Sequence, residues 1–395
     1  MPIPDKIRAL FDDKTQATLL NLRQDLHRHP ELAFQEERTA VRLLDALKPL
    51  NPLTLKKIAG TGVLARIKGR NPNAPVVALR GDIDALPIQE ATEQACASQT
   101  DGVMHACGHD VHAAWTVGAA HLLTAQPAAG DVLILLQPAE EIGKGALAVL
   151  ESGVLQQVAA IFGAHVDSRF EVGEVVVQVG PLAASADIFA IELQGSGGHG
   201  ARPHEACDPV VGAGALITAL QTIVSRRLNP AHAGVVTIGM VQAGRAPNVI
   251  PDKASLTGTV RTLEAHVREL LHHEIQTIAS ATAAAFNLTA KIAIELGTPP
   301  VINPEAATIW ARRAAVALLG ETAIKPLPTL NLAGEDFAFY LEKMPGCFLR
   351  IGARNAGDHY IPAHSPKFFA ANESIFVGAA VLAETARIAS EELSK

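Results

Sequence analysis

The chain has 395 residues, of which 48% are hydrophobic and 18% charged, a balance typical of a well-packed globular protein rather than a disordered one. Its formal net charge of −7 argues against a nucleic-acid-binding protein, and no apolar run approaches the roughly 20 residues that span a bilayer. The length predicts two domains, and the scattered cysteines and the N-terminal sequence predict a cytoplasmic protein without a disulfide framework or a signal peptide.

Three apolar runs in the first half predict buried parallel strands, because they lack the alternation of a sheet with one exposed face. They are residues 76–79, 132–136 and 159–162, and helical patterns at 109–125 and 146–151 separate them into an α/β arrangement. Each run leads directly into polar residues. Because ligands of open α/β sheets collect at the carboxyl ends of the strands, this placement predicts a functional site there.

From about residue 185 to residue 295 the pattern changes to β-α-β-β-α-β, the ferredoxin-like arrangement of a self-contained inserted domain. The predicted elements are a strand at 188–193, a helix at 208–226, strands at 235–241 and 254–259, a helix at 265–286 and a strand at 288–294. After the insertion, the sequence predicts helices at 305–319, 337–342 and 374–394 and a strand at 347–351.

Cys107 and His109 lie two residues apart, directly before the predicted helix 109–125. Thiolate and imidazole are the ligands that zinc and similar borderline ions prefer. The N-terminus of the helix would also favour the thiolate over the thiol. The ordinary alternative is a core cysteine beside a histidine, so the motif alone does not establish a metal site.

Glu140 and Glu141 follow the second apolar run, and neighbouring side chains point in different directions. One could therefore bind a metal while the other faces a metal-bound water, which gives a hydrolase a ligand and a general base. The alternative is a solvated acidic loop. His165 and His364 likewise have ordinary alternatives as a core and a loop histidine. Five such residues together could hold two metals bridged by the thiolate: Cys107, His109, Glu141, His165 and His364.

Residues 195–200 formally match G-x-G-x-x-G, a dinucleotide-binding fingerprint. Pro203 delays the helix, and no acidic residue follows at the spacing where the ribose-binding carboxylate is expected. A flexible loop presenting His199 fits this segment better. In the same domain, Arg261 suits bidentate capture of a carboxylate, and Asn248 stands in a proline-flanked segment; turn building and surface solvation are the alternatives for both.

With these residues assembled, the chain resembles the carboxypeptidase/aminoacylase family of two-metal amidohydrolases, which includes hippurate hydrolases and indoleacetyl-amino-acid hydrolases. The resemblance covers nearly the whole chain in a fixed order of motifs, at residues 26–32, 80–87, 104–110, 137–141, 198–204, 247–251, 334–337 and 364–368. Departures at residues 92–96, Ser168 and Glu171 leave the shape of the substrate pocket open.

The resemblance implies residue roles. Cys107, His109, Glu141, His165 and His364 would bind two divalent ions (zinc, manganese, cobalt or nickel), with Cys107 bridging. Glu140 would be the general base, and His199 would steady the oxyanion in its own or a partner subunit's site. Asn248 and Arg261 would bind the carboxylate of the substrate, and Asp82 would support the metal site.

The function implied is metal-dependent hydrolysis, through a metal-bound water, of the amide bond of an N-acyl amino acid or small peptide with a free carboxylate. Residues 1–184 and 296–395 would form the metal-binding catalytic domain, a mixed, largely parallel sheet flanked by helices. Residues 185–295 would form a lid that joins two subunits into a homodimer, with a tetramer as an alternative. The competing hypotheses are an aminopeptidase of similar architecture, an inactive metal-binding regulatory protein, and a nicotinamide-dependent oxidoreductase.

Overall fold

The computed structural model describes residues 5–329 and 332–395. The described chain forms two compact units. The large unit comprises residues 5–180, 303–329 and 336–395, and the inserted unit comprises residues 181–302 and 332–335. Short strands at Gly180–Ala183 and Val301–Asn303 lie where the chain passes from one unit to the other.

A seven-stranded sheet forms the centre of the large unit. Its strands are, in spatial order, Thr54–Ile58, Gly62–Ile67, Val132–Gln137, Val76–Asp82, Val158–Glu171, Gly346–Arg354 and Val175–Val176. The four middle strands are parallel, and the outer ones are antiparallel. The three apolar runs are thus neighbouring parallel strands, as predicted, and the mixed, largely parallel sheet is confirmed.

Helices cover this sheet, and the helix His109–Ala125 lies deepest among them. Fourteen of its 17 residues are buried, because it packs against the sheet on one side and against the helix Ser374–Leu393 on another. Contact between these two helices is close: a Cβ added at Gly378 would lie 2.3 Å from the Trp115 ring. The remaining helices of the unit are Asp5–Arg8, Asp13–Arg28, Glu37–Leu47, Gly145–Glu151, Glu305–Leu319 and Ala338–Leu341, with 3-10 turns at Lys48–Leu50 and Glu321–Ala323.

Two strands continue past the polar residues that were expected to end them. The run predicted at 159–162 is the first third of the strand Val158–Glu171, which continues because Gly346–Arg354 pairs with it in parallel as far as Glu171. The run predicted at 76–79 extends to Asp82. Arg80 and Asp82 are tolerated inside the sheet because they form a fully buried ion pair.

The inserted unit has the ferredoxin-like fold. Its antiparallel sheet has the strand order Gly234–Ala243, Lys253–Thr262, Asp187–Gln194 and Thr289–Glu295. Side chains of Asp187–Gln194 are alternately buried and exposed, the pattern of a sheet with one covered face. The covering helices are Pro209–Thr222 and Ala265–Ala285, and a separate two-stranded pair joins Gly198–His199 to Val249–Ile250.

The helix predicted at 208–226 is α-helical only over Pro209–Thr222 and continues as one π turn, Ile223–Arg227. By length and composition alone, these 19 residues are long and apolar enough to cross a membrane. Length and composition alone do not make a membrane span, because core helices of globular proteins can be equally long and apolar. Here Ala213, Leu216 and Leu220 are buried in the core of the inserted unit.

Candidate metal centre

All five expected metal ligands lie in the large unit, around the carboxyl ends of its parallel strands. Cys107 and His109 flank the junction between a loop and the buried helix. Gly108 between them has φ 88°, and a Cβ there would lie 2.5 Å from Val166 Cγ2. Only glycine fits this turn, which therefore holds the thiol and the imidazole close together.

The ligand atoms form two sets that share one residue. Those of Cys107, His109 and His165 all lie within 4.8 Å of one another, and so do those of Cys107, Glu141 and His364. Cys107 Sγ is 3.3 Å from His165 Nε2, and His364 Nε2 is 3.5 Å from a Glu141 carboxylate oxygen. The structure thus brings together all five residues, with the thiol common to both sets.

Two buried polar atoms at this centre are left without hydrogen bonds. Among the described residues, neither His109 Nε2 nor Glu141 Oε1 has a hydrogen-bond partner, and the two atoms are 3.8 Å apart. Buried polar atoms are nearly always paired, so two unpaired polar atoms facing each other fit a cation bound between them. A thiol, imidazoles and a carboxylate are also a donor set that suits borderline divalent ions.

Hydrogen bonds orient the two buried imidazoles so that Nε2 of each faces the centre. His165 Nδ1 is 2.7 Å from the Val166 carbonyl oxygen, which can only accept, so Nδ1 carries the proton and Nε2 keeps its lone pair. His109 Nδ1 is 3.1 Å from Asp84 Oδ1. Such outer contacts fix the ring orientation of metal-binding histidines.

Asp84 is a supporting residue that the sequence did not reveal. Its other oxygen accepts a hydrogen bond of 3.0 Å from the backbone N–H of Glu141, so one carboxylate orients two ligands. Asp82, expected from the resemblance to support the metals, accepts from His112 Nδ1 and pairs with Arg80. It lies 3.8 Å from His109 Nε2.

The acidic loop is held in place by a second buried carboxylate. Ala139 has the strained φ of 54°, and its N–H donates to Glu36 Oε1 over 2.9 Å. Glu36 is fully buried and also accepts from the Thr61 hydroxyl. This turn directs the Glu140 side chain toward the centre, where Oε2 lies 3.9 Å from His109 Nε2. Sequence reasoning missed Glu36 as well.

Burial and negative charge shape the protonation of the metal-free centre. Burial raises the pKa of Glu141 to about 7, although His109 opposes the shift. Burial, reinforced by the charge of Glu141, also raises the pKa of the Cys107 thiol well above its usual range. In the metal-free protein, burial and Glu141 therefore outweigh the helix N-terminus, which was expected to favour the thiolate. Metal uptake has to displace these protons and is expected to strengthen as pH rises.

Three expected substrate contacts lie in the inserted unit. His199 and Asn248 are brought together, since Gly200 N donates to Asn248 O over 2.9 Å and His199 pairs with Val249. Arg261 lies on the strand Lys253–Thr262 of the four-stranded sheet. The formal dinucleotide fingerprint does not lead directly into an α-helix, because a 3-10 turn at Pro203–Glu205 follows it and the next α-helix begins only at Pro209.

We expect Asp84→Asn to weaken cation binding about 10–100-fold, the usual cost of losing an outer-shell partner of a metal ligand. The rate of cation loss to a chelator measures the effect. Asp45→Asn, on the exposed face of the helix Glu37–Leu47, is the matched control and should leave that rate unchanged. Equal rates in both variants would show that Asp84 does not orient the ligands.

A family model described as peptidase family M20/M25/M40 matches residues 78–388. An N-acetylcysteine deacetylase of Bacillus subtilis (strain 168) is 41% identical over 97% of the chain and 100% of its own length. An IAA-amino acid hydrolase ILR1-like 5 of Arabidopsis thaliana is 37% identical, over 93% of the chain and 86% of its own. The chain also resembles the crystal structure of the Bacillus subtilis YXEP protein, which is described as a dinuclear metal binding peptidase from the M20 family. The two structures superimpose with a TM-score of 0.85 at 39% sequence identity, over 96% of this chain and 99% of the YXEP chain.

Proposed function

The chain belongs to peptidase family M20/M25/M40, and from that premise we propose that it hydrolyses the amide bond of N-acyl amino acids or small peptides with a free carboxylate. Family membership makes it a metal-dependent amidohydrolase. The proposed substrate class and mechanism rest on the two donor sets that share Cys107, with Glu140 beside them.

Each donor set would hold one divalent cation. Cys107, His109 and His165 would bind one, and Cys107, Glu141 and His364 the other, with zinc, manganese, cobalt and nickel all compatible with these ligands. Two cations held there would polarise the amide carbonyl and lower the pKa of water. The dinuclear centre of the YXEP protein supports this assignment.

Glu140 would act as general base and then as general acid. Its carboxylate is largely buried and lies next to both donor sets, which suits removal of a proton from the attacking water and its delivery to the leaving amine. His199 would donate to the developing oxyanion. Its Nδ1 accepts from the Ala201 N–H over 3.0 Å, so the hydrogen is on Nε2, the exposed nitrogen.

Asn248 and Arg261 would bind the carboxylate of the amino-acid part of the substrate. The enzyme would therefore distinguish substrates with a free carboxylate from those without one. We expect N-acetyl amino acids to exceed their C-terminal amides about 10–100-fold in kcat/KM, the usual worth of a hydrogen bond to a charged group. A panel of N-acetyl amino acids, their amides and free dipeptides tests this. Arg261→Ala should abolish the discrimination, whereas a general preference for free amino termini would instead establish an aminopeptidase.

We also propose that two copies associate through the inserted unit. Gly234–Ala243 is an edge strand, and its Met240 and Val241 are 56% and 48% exposed. The adjacent helix Pro209–Thr222 exposes Val210 and Val211 as well. An exposed apolar edge is a site for pairing with another strand, and a second copy offers the same edge.

Met240→Lys combined with Val241→Lys is expected to convert the dimer to a monomer, because two charges would be placed at the apolar edge. Sedimentation velocity measures the change. Ile309→Lys, at an exposed apolar position of the large unit, should leave the dimer intact. An unchanged dimer in the double variant would place the interface elsewhere, and a wild-type tetramer would require a second interface.

A further inference from the structure

A second cluster of metal-binding side chains lies in the inserted unit. His232 stands in the loop before the edge strand Gly234–Ala243, and Glu264 and His266 lie at the start of the helix Ala265–Ala285. One ligand atom from each of these three side chains lies within 4.8 Å of the other two. All three belong to the inserted unit, and none of them is among the five proposed ligands of the metal centre in the large unit.

The distances in this cluster lie on either side of the spacing between ligands of one cation. His232 Nδ1 is 2.7 Å from one Glu264 oxygen, and His266 Nδ1 is 3.7 Å from the other. Ligands of a tetrahedral zinc ion at about 2.0–2.1 Å lie roughly 3.3 Å from one another, between these two values. The two imidazole rings are nearly perpendicular, at 85°, with centroids 5.1 Å apart.

A hydrogen bond accounts for only part of the arrangement. His232 hydrogen-bonds Glu264, but His266 lies beyond hydrogen-bond distance from the same carboxylate. The next basic groups along the helix, Arg268 and His272, are bound to Asp187 at 2.8 Å each. They are therefore held away from Glu264, whose two oxygens face the two imidazoles.

We propose that His232, Glu264 and His266 bind one further divalent cation of the zinc class. Two imidazoles and a carboxylate suit zinc, copper and nickel, and the carboxylate offsets the positive charge of the cation. The three side chains are 31%, 35% and 66% exposed, so water can complete the coordination. A cation there would tie the start of the edge strand to the start of the helix.

The test is a titration of the full-length protein after its metal centre has been filled and free metal removed by gel filtration. Zn²⁺ is added in competition with a chromophoric chelator, and the wild type should take up one further equivalent per chain. His232→Ala and His266→Ala should each weaken that uptake more than about 100-fold, since even an outer-shell partner is worth about 10–100-fold. Circular dichroism verifies that both variants fold.

His273→Ala is the matched control, since His273 is exposed on the same helix seven residues beyond His266. It should bind the further equivalent like the wild type. Cys107→Ser, which alters only the metal centre, should also retain it, so the two sites are measured separately. A wild type that takes up no further Zn²⁺, or a His266→Ala variant that binds it equally well, would overturn the proposal.

Discussion

Glu140→Gln should lower kcat about 10²–10⁴-fold and leave both cations bound, because the amide keeps the shape of the side chain but cannot accept the proton. Glu140 belongs to neither of the two donor sets that share Cys107, although one of its oxygens lies within 4.8 Å of the ligand atoms of His109 and Glu141. A general base at this position takes part in the reaction and does not bind the metals. Turnover should therefore fall while the metal content stays the same.

Steady-state kinetics with an N-acetyl amino acid, together with metal analysis of the same sample, measures this separation. Glu151→Gln, an exposed carboxylate at the end of the helix Gly145–Glu151, is the control and should retain full activity. Near-normal turnover in Glu140→Gln would remove the assignment as base. Loss of metal together with turnover would make Glu140 a ligand instead.

Cys107→Ser should remove the ligand common to both donor sets. A serine hydroxyl is far harder to deprotonate than a thiol, so the variant should hold fewer than two cations per chain and lose nearly all activity. Metal analysis after reconstitution and gel filtration measures the loss. Cys207→Ser, in the inserted unit, should keep both cations, whereas full metal content in Cys107→Ser would exclude a bridging thiolate.

Local signals were sufficient for several elements of the fold. The helix His109–Ala125 has the predicted bounds, since a glycine in the left-handed conformation precedes it and the apolar pattern ends within the same stretch. The strand Val158–Glu171 extends nine residues beyond its predicted end at residue 162. Its second half depends on pairing with Gly346–Arg354, and no local pattern records a partner that far along the chain.

The metal centre likewise has residues that local sequence signals reveal and residues that only the fold reveals. The five proposed ligands could be named because their residue types are chemically distinctive and their motifs resemble a known family. Asp84 and Glu36 could not, because their roles include hydrogen bonds from backbone N–H groups 57 and 103 residues away. Backbone groups carry no sequence signature, so supporting carboxylates of this kind emerge only from the fold.

The strand Gly346–Arg354 lies between Val158–Glu171 and Val175–Val176, although the whole inserted unit separates it from them in the chain. During synthesis on the ribosome, Val158–Glu171 therefore emerges with one edge unpaired. At about 5–20 residues per second, residue 354 follows residue 171 roughly 10–40 s later. An apolar strand left open for that time is prone to pair with other chains. Newly made protein is thus vulnerable to aggregation in this interval, and a chain truncated before residue 346 would remain so permanently.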